Sequence, residues 1–328
     1  MTVPPKELTQ ELEALLAETY SLWDPGWVTF NWRGYTYDHV QRVRGLALTL
    51  CHREGGDCLV TELAALLHDI TKPYDGEYIT DSEGHRVTDE RGYWQNEVRR
   101  PTRQNAVTAL YDELGLDGRL HNESGAIIAE RLLLGRGVKT SIAQDVAQTI
   151  VDHLVPHSDP PIPSRCLYDA DTIDANIGLP AFVRNIYINL HFYDVRKRPD
   201  EPTFAEIMRD GPMAFVTPYV HEKLPTWAAG KRRDFVHRLL TASARELAIA
   251  RLNRLDQTFV SLANDLARDS ANGHRDRIAI LLHYMRHQAD PSIARETARM
   301  LDEWSPADTQ ADALDMLRAI SMEISGAV

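Results

Sequence analysis

The chain has 328 residues, of which 43% are hydrophobic and 26% charged, the proportions of a globular protein with a sizeable buried core. Gly at 18 and Pro at 17 exclude collagenous or low-complexity character. With 36 Lys and Arg against 48 Asp and Glu the net charge is −12, which disfavours duplex nucleic acid as a partner, because affinity for a phosphate backbone comes from clustered cations.

The N-terminal segment, MTVPPKELTQELEALLAETY, lacks the cationic start and apolar stretch of a signal peptide. It reads as an amphipathic helix capped near Pro4 or Pro5. Apolar positions Val43, Leu46, Ala47 and Leu50 give the next helix, and LAALLHDITK a third, nearly all apolar. The stretch from Asp75 to Tyr93 breaks the helical period: β-prone pieces flank a Ser-Glu-Gly turn, as in a small exposed hairpin, within an insertion of about residues 75–118. Helices resume in HNESGAIIAERLL and again ahead of His153. Four prolines make Pro156 to Ser164 a loop, with further breaks near Pro199 to Pro202 and Ser270 to Gly273. Leu247, Leu255, Phe259, Leu262 and Leu266 mark one long late helix, and the last 50 or so residues hold three short helical patterns parted at Asp290-Pro291 and Ser305-Pro306. The expected fold is therefore all-α with one minor β excursion. A main domain would span 1–268 and a C-terminal helical extension 269–328.

Three cysteines, Cys51, Cys58 and Cys166, form no C-x-x-C pair, which argues against a disulfide framework or thiolate zinc site and fits a reducing cytosol. No apolar run approaches the roughly 18 residues that span a bilayer. A soluble, cytoplasmic chain without a membrane partner is expected.

Thirteen His and 28 Asp give about one His-Asp dipeptide by chance, so His68-Asp69 carries little information by itself. Its surroundings carry more, because an imidazole and a carboxylate on an apolar helix are costly to bury without a partner, and a metal ion is one. Lys72 follows His68 by four and Asp69 by three, so on a continuing helix its ammonium emerges on their side. His39, His121 and His153 also stand in register with the apolar faces of their own helices, and Asp171 follows Leu167 by four. Singly, each histidine reads as a hydrogen-bonded core residue and Asp171 as a cap or turn, with Asp169 and Asp174 as rivals. Jointly, inward imidazoles and carboxylates from separate helices share one core only around something positive.

The ordered pattern His39, His68-Asp69, His121, His153, Asp171 resembles the HD superfamily of metal-dependent phosphohydrolases. The phrases DHVQRVRGLAL, LAALLHDITK, HNESGAIIAERLL and LYDADTID match it too, and HEKL at 221–224 and ASARELAIAR at 242–251 look like the C-terminal helices of small bacterial nucleotide-hydrolysing members. The resemblance covers roughly residues 35–268 and implies an HD-domain helical bundle. It implies a first metal site of His39, His68, Asp69 and Asp171, with Asp69 bridging to a second ion on His121 and His153. Members with only the H, HD and D elements hold one ion, so one or two are expected, and His157 competes with His153. Mixed imidazole and carboxylate ligation suits Mn, Fe, Co, Ni or Zn better than Mg, which is still admitted.

The implied activity is hydrolysis of a phosphate ester or anhydride in a small phosphorylated metabolite, a nucleotide foremost, by metal-activated water. Asp69, Lys72 and His121 are the expected catalytic groups. Arg42, Lys72, Arg103 and His157 are the expected substrate contacts; for Arg99, Arg100 and Arg103 a solvated helix start is the plainer reading. Tyr74, Tyr78, Tyr93 and Trp94 either close over a base or pack the flap. The same ligand set serves HD-fold mixed-valent diiron oxygenases that cleave C–C or C–P bonds, and a binding-only regulatory protein is a third reading. A homo-oligomer is left open.

Overall fold

The computed structural model describes residues 5–26, 32–268, 275–286 and 288–326; Pro4 and the expected break at 270–273 lie outside them. The chain divides into two compact units, Met1–Asp171 and Thr172–Val328.

Unit 1 begins with α1 (Pro5–Tyr20), whose Leu8, Leu12 and Leu16 recur every four residues and are fully buried. Helix α2 (Arg33–Glu54) buries Val43, Leu46, Ala47 and Leu50 as the period requires, and stops at Gly55, whose left-handed φ of 74° lets its N–H bond back to Cys51 O. Asp57 then caps α3 (Cys58–Leu67) by accepting from Leu59 N and Val60 N at 3.0 and 3.1 Å. Expected to run on through Lys72, α3 instead ends at Leu67. Pro73 cannot continue an α-helix, and Lys72–Tyr74 form a 3₁₀ turn.

The β excursion has the expected place and a larger extent. Strand β1 (Asp75–Tyr78) pairs antiparallel with β2 (Asn96–Val98), and isolated bridges join Thr80 to Arg86 and Thr88 to Trp94. Two turns fold the segment between them: the anticipated one, closed by Gly84 N to Asp81 O, and a second closed by Gly92 N to Asp89 O. The glycines have φ of 82° and 86°, and both aspartates tie down the loop by accepting backbone N–H groups. Helices α4 (Ala106–Glu113), α5 (His121–Gly135), α6 (Thr140–Asp152) and α7 (Ile162–Asn176) follow. The proline-rich loop is shorter than expected, since α7 begins at Ile162; a proline is tolerated in a first helical turn, where its missing N–H costs nothing.

Unit 2 is helical in its described residues: α8 (Leu179–Arg196), α9 (Phe204–Asp210), α10 (Met213–Pro218), a π-helical turn over Tyr219–Lys223, α11 (Leu224–Phe235), α12 (Ala242–Ala267), α13 (Arg277–Tyr284), α14 (Ile293–Glu303) and α15 (Ala311–Ile324). The three helical patterns of the tail are thus present, and they pack on α8 and α12 with Ile280, Leu281, Met300, Leu317 and Ile320 fully buried. A buried ionic knot joins them. Glu323 of α15, wholly enclosed, accepts from Leu179 N at 2.8 Å and pairs with Arg254 at 2.6 Å, while Arg251 Nη2 donates to its carbonyl at 3.1 Å. Gly178 has φ 109°, and a Cβ there would collide with this carboxylate. No described helix is long and apolar enough to cross a membrane.

Candidate metal centre

Three of the expected ligands stand at helix ends, where backbone groups lack intrahelical partners. His68 is the C-cap of α3 and His153 the C-cap of α6. Each directs Nδ1 at the carbonyl three residues back, Ala65 O at 2.7 Å and Ile150 O at 2.6 Å. A carbonyl only accepts, so the proton is on Nδ1 and the Nε2 lone pair points inward. His121 opens α5, and its Nδ1 donates to Asp75 Oδ2 at 3.0 Å, with the same consequence. Thr71 fastens the two turns together by donating to His121 O at 2.9 Å, and Gly125 lets α5 approach the His68 carbonyl, since a Cβ there would lie 3.2 Å from it.

The inward nitrogens surround Asp69. His121 Nε2 is 3.5 Å and His153 Nε2 3.8 Å from Asp69 Oδ1; His68 Nε2 is 3.7 Å and His39 Nε2 3.8 Å from Oδ2. Asp171, from the last residue of unit 1, stands 3.0 Å from His39 Nε2. Two ligand groups result, His39/His68/Asp69 and Asp69/His121/His153, each with donor atoms within 4.8 Å of one another and with Asp69 in common. His68 Nε2 is fully buried and has no hydrogen-bond partner. Lone pairs of neutral imidazoles facing a carboxylate across 3.5 to 3.8 Å repel one another unless a cation lies among them. The donor set therefore fits a divalent metal.

Burial opposes ionisation of Asp69, but His68, His121 and His39 in their protonated form, together with Lys72, outweigh it and hold its carboxyl far below the usual range, which is the part a metal cation would play beside neutral rings. Asp75 and Asp171 are likewise lowered against burial, by Lys72 and His121 and by His39. His153 is pushed down to about 3 by burial and then by His68 and His121, so it is a neutral ligand at neutral pH. The outer contacts orient the inner ones: Asp75 bridges His121 and Lys72 Nζ, 3.1 Å away, and Tyr20 donates to Asp69 O at 2.7 Å.

Of the other expected groups, Lys72 is at the cluster, with Nζ 3.2 Å from His121 Nδ1 and a side chain 26% exposed. Arg42 is buried, its guanidinium 5.1 Å from the Tyr35 ring centroid. His157 is turned to Asp152 at 3.1 Å, and it is His153 that approaches Asp69. Arg103 is exposed in the segment before α4, Arg100 pairs with Asp112 and Asp117, and Arg99 donates to Asp24 O. Tyr74 is a packing residue, stacked on Tyr111 with centroids 3.6 Å apart, whereas Tyr78 and Trp94 flank Arg86 in the flap. Sequence reasoning missed Asp75 and Tyr20. Asp75 carries one usable signal, a carboxylate three residues after Lys72; Tyr20 closes a helix far away in sequence and carries none.

Residues 36–176 match the family model of the HD domain. These residues are therefore an HD domain, the domain that defines a superfamily of metal-dependent phosphohydrolases. Among solved structures it is similar to YpgQ of Bacillus subtilis, with 17% identity over 80% of this chain and 97% of that one and a TM-score of 0.40. A predicted HD superfamily hydrolase from an uncultured Thermotogales bacterium shares 23% identity over 66% of this chain and 92% of its own, at a TM-score of 0.36. YpgQ in complex with ADP aligns at 18% identity over 80% and 96% of the two chains, again at 0.40. No curated protein matches the chain.

Proposed function

We propose that the protein hydrolyses a phosphate ester or anhydride bond of a small phosphorylated metabolite, and that this metabolite is a nucleotide. The observation that carries the reading is the convergence of inward Nε2 atoms on both oxygens of Asp69, three of them locked in the ligating tautomer by Ala65 O, Ile150 O and Asp75. One or two transition ions of the Mn, Fe, Co, Ni or Zn type, bound there, supply an acidified water and a clamp for phosphoryl oxygens. Lys72 neutralises charge on the transferred group; its partly exposed ammonium, kept protonated against burial by Asp75 and Asp69, supports that role. Asp75 fixes the ring of His121 so that its Nε2 stays aimed at Asp69. The nucleotide assignment is supported by the phrases HEKL and ASARELAIAR, which resemble the nucleotide-hydrolysing members.

Phosphate release from a panel of nucleoside mono-, di- and triphosphates with Mn-loaded protein tests the reading, beside oxygen uptake with iron-loaded protein. The expected result is phosphate release that Lys72→Ala and Asp69→Ala abolish. Substrate-dependent oxygen uptake without phosphate release would replace hydrolysis by the oxygenase chemistry that this ligand set also serves.

A further inference from the structure

Unit 2 holds a cavity open to solvent, of about 870 Å³, the size of a small-molecule site. One wall is a single face of α8, where Asn185, Asn189, Tyr193 and Arg196 recur at helical spacing; the other comes from α10, the π-helical turn and α11. Its rings are arranged as a platform. Phe215 and Tyr219 lie 18° from parallel with centroids 5.8 Å apart, and Tyr193 meets Phe215 edge-on at 6.0 Å, with Trp227 also on the lining.

Two observations point to a ligand. Tyr219 is only 6% exposed, and its hydroxyl, beside the amides of Asn185 and Asn189, is buried without a hydrogen bond of good geometry, a costly state that a polar ligand atom would relieve. It also stands on a π-helical turn, a departure from α geometry found most often at functional sites. The charges add a direction. Among the described residues Arg196 and Lys223 enter no ion pair, whereas Glu201 on the same lining is held by Arg198 at 2.9 Å, leaving Glu222 as the one lining acid opposed to them. The Arg196 guanidinium rests over the Phe192 ring, 4.5 Å from its centroid, with its outer N–H groups open to an anion.

We propose that this cavity binds a planar heteroaromatic ring carrying an anionic group. The ring lies against Tyr193, Phe215 and Trp227, its polar edge meets Asn185, Asn189 and the Tyr219 hydroxyl, and the anion meets Arg196 and Lys223. The inference does not rest on the hydrolase reading, and metal-stripped protein keeps the two apart.

The test is calorimetric titration of the full chain, metal removed, with AMP, with adenosine and with ribose 5-phosphate. AMP binds best, adenosine weakly and ribose 5-phosphate undetectably. Arg196→Ala weakens AMP about tenfold while leaving adenosine unchanged, and Tyr219→Phe weakens both about threefold. Asp69→Asn leaves all three titrations as they were. Absence of AMP binding, equal binding of ribose 5-phosphate, or AMP binding lost in Asp69→Asn but kept in Arg196→Ala would each overturn the proposal.

Discussion

Asp75 shows how much of the centre depends on a residue that is not itself a ligand. Its carboxylate fixes the tautomer of His121 and balances Lys72, so Asp75→Ala releases both. Loss of such an outer contact costs about 10–100-fold in metal affinity, and that is the expected change in a competitive chelator titration, with helicity by circular dichroism unaltered. His153 gives a pH signature. Its folded pKa of about 3 lies below the ordinary 6.5, so between these values the unfolded chain binds a proton that the folded chain does not, and stability falls as pH falls through that window. Urea denaturation of metal-stripped protein between pH 7 and 4 should show the loss, and His153→Gln should flatten it; an unchanged slope would mean that His153 is protonated in the folded state. The ligands themselves were legible because imidazoles on apolar faces are conspicuous. Asp75 and Tyr20 were not, because they reach the cluster through tertiary contacts that no local spacing encodes.

At the scale of elements, periodicity located the helices and missed where they stop. LAALLHDITK reads as one helix because it is nearly all apolar up to Ile70, yet the turn after Leu67 is what aims His68 and Asp69 at a common point. The same device recurs at His153, so two C-capping imidazoles use last-turn carbonyls of their helices to fix their own rings. The flap was visible from its Ser-Glu-Gly turn and the β-prone pieces beside it, while its second turn, at Asp89 to Gly92, went unread because Arg and Glu between them carry no turn signal of their own. In unit 2 the Glu323 knot ties α15 to α8 and α12. Glu323→Ala removes the buried carboxylate facing two arginines and uncaps Leu179, and chemical denaturation should register a loss of about 3–5 kcal/mol; a loss below about 1 kcal/mol would show the knot to be energetically idle.

For the whole chain, composition and charge excluded alternatives and the ordered His and Asp pattern pointed to the class; the HD domain over residues 36–176 bears out the family resemblance. The division into units was harder to see. Helical patterns separated by proline look like an appendage in sequence, but hydrophobic period says which face is buried and not what it is buried against. In the structure the compact units part at Asp171 and Thr172, inside α7, and the last three helices belong to unit 2. Deleting residues 275–328 strips Leu281, Leu317 and Ile320 from that unit's core, so the truncated chain should lose more helical signal than the deleted helices account for and become sensitive to proteases within α8 and α12. A truncated chain as protease-resistant as the full one would show that the first part of unit 2 folds without them.

The account turns on Asp69 as the carboxylate that both imidazole groups share. Elemental analysis of purified protein after exhaustive dialysis measures this most directly: the native chain retains one or two divalent transition ions, and Asp69→Ala, with its helical spectrum intact, retains none. Metal content in Asp69→Ala equal to that of the native chain would contradict it.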